Sequence, residues 1–101
     1  MKNINGKELR EIVAENSGAV IIDVRTEEEI RSGMIEGAIN YNLMGPSFAE
    51  NIKSLDKNKT YLMVCRSGNR SGSACGFMEK EGFQNVFNLD GGMMHWDGET
   101  V

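Results

Sequence analysis

A chain of 101 residues supports one hydrophobic core and leaves little over for a second domain. Hydrophobic residues make up 40% of it and charged residues 26%, an ordinary balance for a globular protein, and no stretch approaches membrane-spanning length. Lys and Arg number 11 against 15 Asp and Glu, so the net charge is -4, which offers no broad basic surface to nucleic acid or an anionic membrane.

Ile4 reads as part of a short edge strand. Asn5 with Glu8 then opens a first helix, because a capping side chain three residues before a carboxylate satisfies two orphan helix-end donors reciprocally. Leu9, Ile12 and Val13 form its apolar face, and Gly18 before Ala19 is the expected left-handed stop. The apolar run 20–24 follows as a strand. Thr26 with Glu29 opens a second helix ending at Gly33 before Met34, residues 38–41 form another strand, and Ser47 with Glu50 opens a third helix. A strand over 61–64 leads into a helix with Ala74, Phe77 and Met78 on its apolar face, closed by Gly82 before Phe83; residues 86–89 are the last strand. Runs 20–24 and 61–64 are nearly continuous rather than alternating, as expected of strands covered on both faces. The class is therefore α/β: a single domain, residues 1–101, with a mainly parallel central sheet of four to five strands and helices on both faces.

The stretch Cys65-Arg66-Ser67-Gly68-Asn69-Arg70-Ser71 stands out. A cysteine ending a buried strand and followed by a polar, glycine-containing turn is surrounded by backbone N–H groups, and the positive end of the next helix adds to their field. Arg66 and Arg70 raise the local potential further, and each of these effects favours thiolate, the reactive form. In a parallel sheet ligand crevices open outside the carboxyl ends of the strands. Cys65, the pair Asp23 and Arg25, and the turn Asp90-Gly91-Gly92 would meet on that rim. Two cysteines are too few for a disulfide framework, and no His, Cys and Asp cluster has metal-ligand spacing. Met1 to Lys7 has no apolar leader, so the chain reads as cytoplasmic, where Cys65 stays reduced.

These residues resemble the single-domain rhodanese family of sulfurtransferases across nearly the whole chain. Asp23-Val24-Arg25 is similar to the family's Asp-x-Arg strand end, and 29–40 to its E-[FY]-x-x-G-H-I-x-G-A-x-[NH] segment. Cys65 to Ser71 resembles its six-residue active-site loop, and Gly82-Phe83, Gly91-Gly92 and Trp96 its closing pattern. Met34 replaces a usual histidine and Ile30 a common aromatic residue, which bears on local packing and docking rather than on sulfur. The resemblance implies that the Cys65 thiolate takes the outer sulfur of a donor such as thiosulfate as a persulfide. Cyanide or a thiol then removes it, with no cofactor. A sulfur-relay protein is a further expected partner.

Cys75, in the small and apolar stretch of the following helix, reads as core packing rather than as a resolving thiol. Arg66 is expected to bind the substrate anion, Arg70 to brace the loop through a carboxylate, and Asp23 and Arg25 to support it, with Arg25 reaching the pocket. His95, the only histidine, is set aside as a base because loop and helix already favour the thiolate; Trp96 reads as a core anchor, and the seven methionines as gap-fillers. Cysteine-dependent phosphatases and arsenate reductases are the enzymatic alternative, but they share a C-x5-R loop, one residue longer than the C-x4-R of Cys65 to Arg70, and so a larger cradle. A non-enzymatic rhodanese-like docking module is the alternative of another class, and such modules typically lose the cysteine.

Overall fold

A computed structural model describes residues 1–101. In chain order the elements are β1 (Lys2–Ile4), α1 (Gly6–Glu15), β2 (Val20–Asp23), α2 (Glu27–Ile30), β3 (Ile39–Asn40), α3 (Phe48–Lys53), β4 (Thr60–Val64), α4 (Asn69–Lys80), β5 (Asn85–Leu89) and a 3-10 turn, Gly92–His95. The five strands form one sheet in the order β1-β5-β4-β2-β3, with every neighbouring pair parallel. No helix is long and apolar enough to cross a membrane.

Local chemistry sets most boundaries. At α1 the Glu8 N–H donates to Asn5 Oδ1 at 2.8 Å while the Asn5 N–H donates to Glu8 Oε1 at 3.0 Å, the reciprocal capping box. Thr26 and Glu29 form the same box ahead of α2. Gly82 stops α4 at φ +97, with the Phe83 N–H on the Met78 carbonyl at 3.1 Å and the Gly82 N–H on that of Glu79 at 3.0 Å.

Three expected boundaries differ. Helix α2 ends at Ile30 rather than at Gly33, whose N–H closes a turn on the Ile30 carbonyl at 2.9 Å. Ser47 makes no side-chain cap, because at φ -97 and ψ 0 it does not hold the extended conformation that turns a hydroxyl back onto the first turn. Helix α1 stops at Asn16 rather than at Gly18: Asn16 is extended, and its Oδ1 accepts the Gly18 N–H at 3.0 Å in a side-chain turn. Val13 is 39% exposed, leaving Leu9 as the buried residue of that helix.

β4 lies at the centre, paired to β2 (Asp23 opposite Val64) and β5 (Met63 opposite Asn88), and residues Tyr61 to Val64 are all buried. Successive side chains of a strand point to opposite faces, which sorts the interior into two clusters. Tyr61, Met63 and Cys65 join Phe48 and Ile52 of α3 and Ala74, Cys75 and Met78 of α4. Leu62 and Val64 join Ile4, Leu9, Ile21, Ile35 and Leu89 on the other face, under α1. Helices thus cover both faces, and the central strand delivers the residue that follows it, Cys65, to the carboxyl rim. Residues 34–35 are tied to the chain's end, where the Met34 and Val101 backbones exchange hydrogen bonds at 3.1 and 2.8 Å.

Candidate active site

Cys65 follows β4 directly and has no exposed surface. Its loop doubles back through Gly68, whose φ of +99 lies in the left-handed region that favours glycine, so that the Gly68 N–H donates to Cys65 Sγ at 3.0 Å. Helix α4 starts at Asn69, placing its positive end beside the sulfur, and Ser71 Oγ sits 3.3 Å from Sγ. Burial pushes the thiol up. The Ser71 hydroxyl, with the backbone N–H groups of Ser71, Gly68 and Ser67, more than offsets it, leaving Cys65 below the usual thiol range.

The loop is also held from behind. The Met93 N–H donates to the Cys65 carbonyl at 2.9 Å and the Met94 N–H to the Arg66 carbonyl at 3.0 Å. These bonds turn the two carbonyls outward and leave the N–H groups for the sulfur. Gly92, at φ +55, makes this approach feasible, because a Cβ there would lie 2.3 Å from the Cys65 oxygen. The Asp90-Gly91-Gly92 turn therefore reaches the rim that Cys65 occupies.

Two ion pairs frame the loop. Asp23 and Arg25 are buried and paired through both carboxylate oxygens, at 2.9 and 2.8 Å, and Arg25 Nη2 also donates to the Gly33 carbonyl at 2.8 Å. Asn40 Nδ2 donates to the carbonyls of Asp23 and Arg25, at 2.9 Å each, and fixes the end of β2. Arg70 makes a two-pronged pair with Glu29, both contacts 2.7 Å. The Arg70 guanidinium, with help from Thr26, holds the Glu29 carboxyl down to about 2 against the cost of burial.

A cavity of about 360 Å³ opens on this rim, lined by Arg25, Glu29, Ser32, Arg66, Met93 and Met94. Of its two arginines, Arg25 is neutralised by Asp23, whereas Arg66 is exposed and has no carboxylate partner. The cavity thus presents one free cation, carried by the residue that follows Cys65, a setting for a small anion; the buried Cys65 does not itself line it. Ser67 and Asn69 are exposed at the loop tip.

Other residues fall elsewhere. Cys75 is fully buried in the α4 core, where burial first and then Glu79 push its thiol up to about 12, so it stays protonated and inert. His95 is exposed, its ring rests against Gly91, and it makes no hydrogen bond to the Cys65 sulfur. Trp96 is only half-buried: it closes the edge of the smaller cluster, with the Arg10 guanidinium 5.2 Å over its ring and Nε1 donating to the Glu99 carbonyl. The sequence reading missed Glu29 as the partner of Arg70, and it missed Asn88. Asn88 is buried in β5, with Oδ1 on the Ser71 hydroxyl and Nδ2 on Asn3 Oδ1 and the Gly68 carbonyl at 3.0 and 3.1 Å. A polar residue inside an otherwise apolar run is the one sequence signal it gives.

A family model described as the rhodanese-like domain matches residues 5–99. The chain belongs to that family. The YtwF protein of Bacillus subtilis is 41% identical over 100 residues, covering 99% of this chain and 94% of that one. Thiosulfate sulfurtransferase GlpE of Pseudomonas entomophila is 38% identical over 88 residues, covering 83% of this chain and 79% of its own. The crystal structure of a rhodanese-like domain protein from Staphylococcus aureus superimposes with a TM-score of 0.87 at 33% identity, covering 100% of this chain and 97% of that one. The rhodanese-like α/β fold expected from the sequence is thereby established, and its sheet, expected to be mainly parallel with four to five strands, has five, all parallel.

Proposed function

We propose that this rhodanese-like protein is a sulfurtransferase with Cys65 as its nucleophile. The Cys65 thiolate attacks the outer sulfur of a thiosulfate-type donor. A new S–S bond forms, the donor's S–S bond breaks, and sulfite leaves with the electron pair. The protein then carries Cys65 as a persulfide whose charge sits on the outer sulfur. Cyanide, a small thiolate or the cysteine of a relay protein attacks that sulfur and restores the Cys65 thiolate. Splitting one displacement into two is nucleophilic catalysis, and the loop N–H groups stabilise the sulfur anion as an oxyanion hole stabilises oxygen. Arg66 attracts the anionic donor. Arg70, Asp23 and Arg25 hold the loop and the neighbouring strand end.

The observation that carries this reading is the convergence of the Gly68 N–H and the Ser71 hydroxyl on Cys65 Sγ, at 3.0 and 3.3 Å, in a thiol held below its usual range. A domain used only for docking has no need of that arrangement. The test is the intact mass of the reduced protein after brief exposure to thiosulfate, followed by peptide mapping. A gain of one sulfur on Cys65, lost again on adding cyanide and absent in Cys65→Ser, is the expected result. No adduct, or an adduct that survives Cys65→Ser, overturns the assignment.

A further inference from the structure

Ser71 Oγ has a single proton and two acceptors in reach, Cys65 Sγ at 3.3 Å and Asn88 Oδ1 in closer contact. The orientation of the Asn88 amide is not free. Its nitrogen faces two groups that can only accept, Asn3 Oδ1 at 3.0 Å as the Asn3 amide stands and the Gly68 carbonyl at 3.1 Å, so an oxygen must face Ser71. No buried polar side-chain atom is left without a partner in this arrangement.

We propose that Asn88 is a positioning residue for Cys65: it holds the Ser71 hydroxyl proton while the sulfur is neutral and releases it when the sulfur becomes a thiolate. In the thiol state Cys65 S–H donates to Ser71 Oγ, and Ser71 donates to Asn88. On loss of the thiol proton the hydroxyl turns to Sγ and adds to the Gly68 N–H. Once Sγ carries a second sulfur its own charge is gone, and the hydroxyl returns to Asn88. In no state is the hydroxyl proton left without an acceptor, so the cycle avoids the cost of a buried unsatisfied donor. This last step rests on the sulfurtransferase reading; the thiol–thiolate steps do not.

The charged and titratable groups around the sulfur come from several elements: Asp23 at the end of β2 and Arg25 just beyond it, Glu29 of α2, Arg66 and Arg70 at the loop, Cys75 of α4 and His95 of the 3-10 turn. None of them hydrogen-bonds the Ser71 hydroxyl or the Asn88 amide. Exchanging Asn88 therefore reads out the hydroxyl.

The experiment titrates the Cys65 thiolate by its ultraviolet absorbance, taken as the difference from Cys65→Ser, with no sulfur donor present. Its failure is thus distinct from failure of the sulfur-uptake test. Ser71→Ala is expected to raise the Cys65 pKa by about half a unit to one unit, one hydrogen bond's worth. Asn88→Leu removes the competing acceptor and is expected to lower it by a similar amount in the protein that has Ser71, with no shift in the Ser71→Ala background. Asn88→Asp keeps an acceptor and adds negative charge, so it is expected to raise the pKa, and by more when Ser71 is present. Movement of both Asn88 variants in the same direction, or an Asn88→Leu shift that persists undiminished in Ser71→Ala, means that Asn88 merely shapes the loop and overturns the proposal. If Asn88→Leu does not fold, Asn88→Asp decides alone: equal shifts with and without Ser71 refute the coupling.

Discussion

Glu29→Gln keeps the size of the side chain and removes the charge that Arg70 faces. The fall of the Glu29 carboxyl from 4.5 to about 2 corresponds to a ceiling of about 3 kcal/mol. The two side chains are 29% and 28% exposed, so solvent screening brings the expected loss at neutral pH to about 1.5–2 kcal/mol. Because the carboxyl is depressed on folding, its contribution is complete above pH 4.5, the ordinary value, and is lost as pH falls toward about 2. Urea unfolding of the wild type and of Glu29→Gln, followed by tryptophan fluorescence from pH 7 down to pH 2, measures this. The gap between the two proteins is expected to be full at pH 7 and to close in acid. A gap below about 0.5 kcal/mol at pH 7, the level of an ordinary exposed pair, refutes the idea that Glu29 anchors the loop through Arg70. So does a gap that does not narrow toward pH 2. The same variant loses the charge-assisted bonds at the start of α4, so its rate of sulfur uptake is expected to fall with its stability.

Arg66→Ala removes the one cation of the cavity without a carboxylate partner, so its KM for thiosulfate is expected to rise about tenfold with kcat little changed; unchanged kinetics remove its binding role. Cys75→Ala is expected to retain sulfur uptake and to lower the melting temperature by a few degrees, since it trades a buried thiol for a small void; loss of uptake in a folded variant gives Cys75 a chemical role. Gly92→Ala puts a Cβ 2.3 Å from the Cys65 oxygen at a left-handed φ, and its melting temperature is expected to fall by about 5 °C or more, with sulfur uptake impaired. A melting temperature within a degree of the wild type would mean that the turn does not clamp the loop.

What the sequence made legible was local. The capping boxes at Asn5 and Thr26 and the left-handed stop at Gly82 act within a few residues, and residue type and spacing alone expose them. The Cys65 loop is contiguous, so its chemistry could be read from seven successive letters. Ser47 and Gly18 show how such reading fails: each has the right letter, but the backbone arrives in another conformation, and Asn16 ends its helix first. The unread part is long-range. Arg70 finds Glu29 from 41 residues away, and Asn88 finds Ser71 from 17 and Asn3 from 85, pairings fixed only by the strand order β1-β5-β4-β2-β3. The size of Trp96 predicts a core anchor; it lies instead at the core's edge, under the guanidinium of Arg10.

The contact between Gly92 and the carbonyls of Cys65 and Arg66 also limits how this scaffold can acquire new chemistry. A longer loop, of the kind that embraces a tetrahedral anion, needs room behind the cysteine. Here that room is filled by the backbone of the 3-10 turn, bonded in register through the Met93 and Met94 N–H groups. A one-residue insertion after Cys65 therefore cannot succeed alone. It displaces a partner carbonyl, breaks that register and requires residues 91–94 to retreat with it. The two segments are bound to change together or not at all, so a variant selected for a larger substrate should carry its compensating substitutions in the turn, some twenty-five residues downstream of the loop.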